Sequence, residues 1–400
     1  MPTPQLRLVH DPHPDPEPAR AAGAGVPVAL TELIGRDGLV HDVIARLREV
    51  PLVTLVGTGG IGKTRLALAV ADRLAASPSA VHGVRFSDLS TATSDDDVHR
   101  AVATALHLVP QPGHALRDSI AVACNAGPLT LVLDNCEQVV EAAASLVTFI
   151  RTAAPGTRLL CTSREPLGVS GEVVWQVPPL PLAANGAALH SPAVALFLAR
   201  ARDANASMRV DEASLRDIAA LCRALDGVPL AIELAAARTR ALTPAQLLAR
   251  LDDGMRLLRG GPRSAPARHR AMEDAVAWSW AQCSPAEQRC AAAAAQFVGG
   301  WTLEAFEVVG GVALEGASDA EADDALAVLT RLVDRSLVLV DDADDGVRYR
   351  MLAPVRQYAA AQLARAPWRE AVAASHREWY AAYVADAAVR MEHAAHDAWR

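Results

Sequence analysis

Eight consecutive residues, Gly57-Thr58-Gly59-Gly60-Ile61-Gly62-Lys63-Thr64, follow the apolar run Val53-Thr54-Leu55-Val56 and spell G-x-x-x-x-G-K-T. Between a strand and a helix this spacing makes a polyphosphate cradle. Its glycines let the backbone turn tightly with N–H groups pointing inward, Lys63 supplies a compact positive charge for the outer phosphates, and the Thr64 hydroxyl is a ligand for Mg²⁺. A helix expected over 63–76, with Arg65 in its first turn, adds the positive end of its dipole. Lys63 is the only lysine, against 37 arginines among the 38 basic residues. A compositional preference for arginine explains the 37 but not the exception, which falls where a point charge suits better than a planar fork.

Further candidates lie on either side of that loop. Leu129-Thr130-Leu131-Val132-Leu133 runs into Asp134-Asn135, the pattern of a buried parallel strand that sets a carboxylate at its C-terminal edge. There Asp134 holds Mg²⁺ directly or through water; the plain alternative is an acid capping the next helix. The strand predicted at 158–162 ends in Ser163-Arg164, which sets a cation at the same edge to sense or stabilise a terminal phosphate. The alternative is a surface arginine. Upstream, Leu33-Ile34-Gly35-Arg36-Asp37 forms a turn before an amphipathic helix, a candidate wall on the base side of the pocket. Gly227-Val228-Pro229 reads as a helix stop and restart, and its proline ring is also placed to lie against a base.

These residues need elements to hold them. Strands are expected at 84–89 and 173–177 and helices at 95–108, from an acidic cap, and at 115–124, after which Pro178–Pro181 makes a stiff exit. From Ser191 the periodicity is helical. Gly260-Gly261-Pro262 and the basic run Arg263–Arg270 mark the next boundary, the run being read as a solvated linker in preference to a nucleic-acid contact. Beyond it, helices are expected at 272–282, 284–297 and 322–333, with Ser284-Pro285-Ala286-Glu287 as a capping box. A hairpin pairing 337–340 with 347–351 across an acidic turn then suggests a winged helix. Residues 1–28 are rich in proline and read as a disordered leader. The organisation is therefore an α/β nucleotide-binding domain with a parallel sheet over 29–183, a helical lid over 184–262, a winged-helix domain over 263–366, and a helical segment over 367–400 that suits the start of a repeat array.

Composition sets outer bounds. With 51% hydrophobic but only 4% aromatic residues, helix-rich packing around small cores is expected. A net charge of −8 calls for neither nucleic acid nor membrane as a bulk partner. The six cysteines form no C-x-x-C pair, and no apolar run is long enough to span a bilayer. Reduced thiols, no membrane and a cytoplasmic location are the expectation.

Taken together, Leu33–Asp37, the phosphate loop, Leu131–Glu137 (LVLDNCE), Cys161–Gly168 (CTSREPLG), Leu225–Arg238 (LDGVPLAIELAAAR) and Val355–Ala359 (VRQYA) resemble the motifs of the signal-transducing STAND ATPases. The similarity is to the NB-ARC-like, AAA+-like cores of actinobacterial LuxR-type and antibiotic-regulatory-protein-type transcriptional regulators, and covers about residues 30–385. It implies domains that close around ATP or ADP with Mg²⁺. Gly35 and Arg36 would border adenine, Lys63 and Thr64 would bind phosphates and Mg²⁺, Asp134 would be the metal-site acid, Arg164 the phosphate sensor, and Pro229 would pack on the base. Nucleotide exchange or hydrolysis would switch the domain arrangement and control self-association and an attached effector. Two departures stand out. Asn135 occupies the place of a catalytic glutamate, which leaves Glu137 as the nearest base and slow turnover as the expectation. Met351-Leu352-Ala353 replaces the usual Met-His-Asp triplet at the end of the wing, so that latch is missing or replaced.

The leading function is thus an ATP-dependent regulatory switch, with DNA contacted through a module outside this chain. The alternatives are a housekeeping ATPase with rapid turnover and a winged-helix DNA-binding protein. The acidic stretch Asp341–Asp345 argues against the last, since salt-dependent DNA affinity needs a basic surface.

Overall fold

The computed structural model of the chain describes residues 26–27, 31–76, 83–109, 115–182, 191–206, 208, 210–250, 272–315, 324–343 and 346–397. The leader, Val26 and Pro27 apart, and the linker from Gly260 to Arg270 lie outside these residues.

The first unit is a five-stranded parallel sheet in the order β2-β3-β4-β1-β5, from β1 (Leu52–Val56), β2 (Gly83–Asp88), β3 (Leu129–Asp134), β4 (Arg158–Ser163) and β5 (Val173–Gln176). Strands β1 and β3 are buried along their whole length, as a sheet covered on both faces requires. Alternate side chains of β1, β3 and β4 enter two different cores: Val53, Leu55, Val132 and Leu160 on one face, Leu52, Leu131, Leu133 and Leu159 on the other. Helices α1 (Asp37–Glu49) and α2 (Lys63–Ala75) cover the first face. Helices α3 (Asp95–Ala105), α4 (Leu116–Asn125) and α5 (Val140–Ala153) cover the second. The cap of α3 is Ser94, whose side chain accepts from Asp97 N, one residue before the acid expected there. Because β4 lies between β1 and β3, the ends of three adjacent strands bring the phosphate loop, Arg164 and Asp134 to one edge.

The core of the first face continues through the rest of the chain. Helices α6 (Pro192–Ala204), α7 (Glu212–Ala224), α8 (Pro229–Ala237) and α9 (Pro244–Ala249) form the lid; α6, α8 and α9 each start with proline in the first turn, where its missing N–H is harmless. The third unit holds α10 (Met272–Ala281), α11 (Pro285–Ala294), α12 (Leu303–Leu314), α13 (Ala325–Asp334), the antiparallel pair β6 (Leu339–Ala343) and β7 (Gly346–Arg350), and α14 (Ala353–Leu363). The capping box at Ser284 and Glu287 is formed. Helix α15 (Arg369–Asp397) follows.

Two sequence expectations for the third unit need correction. Helix α12 falls in a stretch with no helix expected; it contains Gly310-Gly311, and Gly310 packs near Phe306 and Cys290 Sγ. The hairpin is displaced, because Leu337 and Val338 are buried in the core and β6 begins only at Leu339. Asp341 is therefore a strand residue, ion-paired with Arg350 of β7, and not part of the turn.

Candidate functional site

Val56 leads from β1 into the glycine-rich loop, and α2 starts at Lys63 with Gly62 as its N-cap and no side chain capping it, so its first N–H groups face the loop. Gly60 and Gly62 have φ of 82° and 96°, the left-handed region that glycine enters without strain. A Cβ on Gly60 would come within 2.7 Å of Leu230 Cβ, and one on Gly62 within 3.0 Å of Arg36 Nη1. The loop is thus closely lined by the lid on one side and Arg36 on the other. Lys63 is buried and donates from Nζ to Gly57 O at 2.6 Å and Thr58 O at 3.3 Å.

A cavity of about 360 Å³ opens over the loop, lined by Gly59, Gly60, Gly62, Lys63, Thr64, Arg65, Arg36, Asp134, Glu137, Arg164 and Pro229 among others. The phosphate-loop residues Gly57, Thr58 and Ile61 stand behind this lining, Ile61 being buried in the core. At the strand edge, Thr64 Oγ1 donates to Asp134 Oδ1 at 3.0 Å, and Thr162 Oγ1 donates to the same oxygen. Burial pushes the Asp134 carboxyl up to about 6 against the pull of those two hydroxyls. Asn135 has φ 63°, a conformation asparagine tolerates better than most residues. Its amide Nδ2 donates to Asp134 Oδ2 at 2.8 Å and to Asp88 Oδ1 at 2.9 Å. Asp88 ends β2 in direct register with Asp134.

Arg164 is not a surface arginine. It is buried, with its guanidinium 3.2 Å from where a Gly59 Cβ would stand, and its Nε pairs with Glu137 Oε1 at 3.3 Å. Nη1 donates to Ala275 O at 2.9 Å and to Ser279 Oγ, and the group lies 4.2 Å from the ring centre of Trp278. These last three residues belong to α10. Ser336 Oγ donates to Arg164 O, and Arg335 pairs with Glu165. The strand end beside the phosphate loop is therefore bolted to the third unit.

The side expected from the sequence to face a base is less uniform. Arg36 is buried and donates from Nη2 to Pro178 O at 2.8 Å, while Nη1 has no partner among the described residues; burial, and secondly Arg65, bring its pKa down to about 10. Gly35 does not line the cavity. Its φ of 70° places its α-carbon against Pro192, whose Cβ would be 2.3 Å from an added methyl. Arg65 donates to the carbonyls of Thr31 and Glu32 and pairs with Glu233, so it ties the segment before α1 to the lid. Pro229 begins α8 on the cavity wall, and Leu230 N donates to Gly60 O at 3.1 Å.

A winged helix-turn-helix domain family matches residues 307–364, from within α12 to the end of α14. A Mycobacterium tuberculosis protein named as an HTH-type transcriptional regulator is 38% identical over 341 residues, which is 85% of this chain and 37% of the regulator. The chain thus spans little more than a third of the length of that relative. An uncharacterized protein of the same organism is 36% identical over 349 residues, covering 87% of this chain and 86% of its own length. The chain belongs to this family. The fold of the chain is similar to that of the Walker-type ATPase of Pyrococcus abyssi, which superposes with a TM-score of 0.50 over 82% of this chain and 95% of that one, at 14% identity. No described helix is long and apolar enough to cross a membrane.

Reading the sequence alone misses Asp88, Trp278 and Ser279. A weaker signal for Asp88 exists, since Val84 and Phe86 alternate along a strand that, like Leu129–Asp134, ends in an acid. None exists for Ser279, which meets Arg164 across 115 positions.

Proposed function

We propose that the chain is an ATP- and ADP-binding switch of the STAND type, serving as the regulatory ATPase module of a transcriptional regulator with slow hydrolysis. The observation that carries this is Arg164, whose guanidinium lines the phosphate cavity while α10 of the third unit holds it from behind. A residue so placed links phosphate occupancy to domain arrangement, because a phosphate that draws the guanidinium forward weakens its grip on α10.

The residues present suit nucleotide and Mg²⁺. Backbone N–H groups at the start of α2 and Lys63 take the phosphates, Thr64 and Asp134 hold Mg²⁺, and Pro229 with Arg36 flanks the base. Mg²⁺ would neutralise phosphate charge and lower the proton affinity of Asp134. Leu230, bonded to Gly60, closes the lid on the loop. Self-association on ATP binding is part of the proposal. DNA contact in a regulator built this way falls to a module outside these 400 residues, because two arginines of the winged helix, Arg331 and Arg335, are engaged internally by the buried Glu287 at 2.7 and 3.1 Å.

Isothermal titration of ATP and ADP with Mg²⁺ tests this. Lys63→Ala is expected to weaken ATP binding on the order of 100-fold, about 3 kcal/mol for a lost charge-assisted phosphate contact. Unchanged affinity would sink the switch, and multiple-turnover hydrolysis at the median rate for enzymes, on the order of 10 s⁻¹, would favour the housekeeping ATPase instead.

A further inference from the structure

The cavity is lined by five carboxylates, Glu32, Asp88, Asp134, Glu137 and Glu233, and the acid expected after Asp134 is replaced by Asn135. Four are engaged or misplaced for taking a proton from water. Glu137 is ion-paired with Arg164, and Glu233 with Arg65 and Arg200. Asp134 is buried under two hydroxyls. Glu32 precedes α1 in the segment gripped by Arg65, on the base side. Asp88 differs from all of them. It is exposed at the cavity edge, carries no ion pair among the described residues, and is aligned with Asp134 both by strand register and by the Asn135 amide that donates to each. Its remaining bonds, from Ser90 N at 2.8 Å and Ser90 Oγ at 3.0 Å, fix the carboxylate in place.

We propose that Asp88 is the general base for ATP hydrolysis in this chain, with Asn135 as the positioning residue that aligns it beside Asp134. This rests on the nucleotide-switch reading of the same cavity. As the water oxygen forms its bond to the γ-phosphorus, the bond from that phosphorus to the β–γ bridging oxygen breaks. ADP leaves with the electron pair, Asp88 accepts the proton of the water and passes it to bulk solvent, and inorganic phosphate is released. An exposed base suits that last transfer.

Single-turnover hydrolysis of ATP by the full chain with Mg²⁺, alongside the affinity of a fluorescent ATP analogue, tests the assignment. Asp88→Asn keeps an oxygen for Ser90 N but no proton acceptor, so it is expected to lower the rate on the order of 100-fold while leaving affinity within about three-fold. Asp88→Ala is expected to regain rate with added formate, a response that a merely structural role would not produce. Hydrolysis within about three-fold of the unaltered chain in Asp88→Asn, loss of analogue affinity in that variant, no formate response, or no single-turnover hydrolysis by the unaltered chain would each overturn the proposal. If Lys63→Ala still weakens binding on the order of 100-fold in those cases, the switch stands and only the base is wrong.

Discussion

Replacing Arg164 by methionine removes a cation that joins the cavity over the glycine-rich loop to α10. With it go the Glu137 pair at 3.3 Å, the bonds to Ala275 O and Ser279 Oγ, and the contact with Trp278 at 4.2 Å. Both side chains of the ion pair are only 5% and 6% exposed, and Glu137 Oε2 already lacks a partner among the described residues, so the variant strands a buried carboxylate. Breaking one side of such a pair costs about 3–5 kcal/mol, and a desolvated cation–π contact adds about 1–2. The expected loss is about 4 kcal/mol once methionine refills part of the volume. Urea unfolding followed by tryptophan fluorescence suits the question, because Trp278, Trp280 and Trp301 lie in the third unit, Trp368 just before α15 and Trp379 within it, while Trp175 of β5 reports the sheet. The third unit is expected to come away at lower urea than the sheet. Adding Glu137→Gln removes the stranded charge, and a double-mutant cycle should return a coupling of about 2 kcal/mol. A loss under about 1 kcal/mol would refute the idea that Arg164 holds the two units together, and singles that simply add in the double variant would show that its pair with Glu137 does not anchor the guanidinium that grips α10.

Two other outcomes follow from the geometry. The Asp134 carboxyl is held near 6 against its ordinary 3.8, so its contribution to stability is full below pH 4 and is lost as pH rises through 6. Over that interval, Asp134→Asn should flatten the pH dependence of unfolding by about 3 kcal/mol, measured by urea titration at each pH in Mg²⁺-free buffer. Asp226 of the lid accepts from Ala353 N at 2.6 Å and so caps α14 where the wing ends; its φ is 50°. Asp226→Ala should cost about 2 kcal/mol by losing both the cap and a residue suited to that backbone, with faster amide exchange at the start of α14. Asp226→Asn should cost clearly less, and equal losses would show that the cap does not matter.

Much of the first domain was legible because its signals are local. Parallel strands buried on both faces appear as unbroken apolar runs, and the phosphate loop is specified within eight residues. The acid at the end of β3 and the arginine at the end of β4 fell out of the same pattern. The third unit was harder. In α12 two glycines and a nearly all-apolar sequence erased the periodic signal, although Thr302, which accepts from Ala305 N, was a visible start. The hairpin slipped because Leu337 and Val338 are as apolar as strand residues yet pack into the core. The α10 partners of Arg164 and the partner of Asp226 come from tertiary contacts more than 100 positions apart, which no short-range pattern encodes. The missing histidine after Met351 was legible as an absence; that Asp226 reaches the same point from the lid was not.

The solitary lysine also has a practical side. The residue is 7% exposed with its amine turned onto the carbonyl of Gly57, and no other side chain in the chain offers a primary amine. An endoproteinase that cuts only after lysine therefore has one internal bond to attack, between Lys63 and Thr64, where the loop becomes α2. Cleavage of that bond would sever the cradle from its helix in a single step. Its rate would report, from one band on a gel, how often the cradle comes undone.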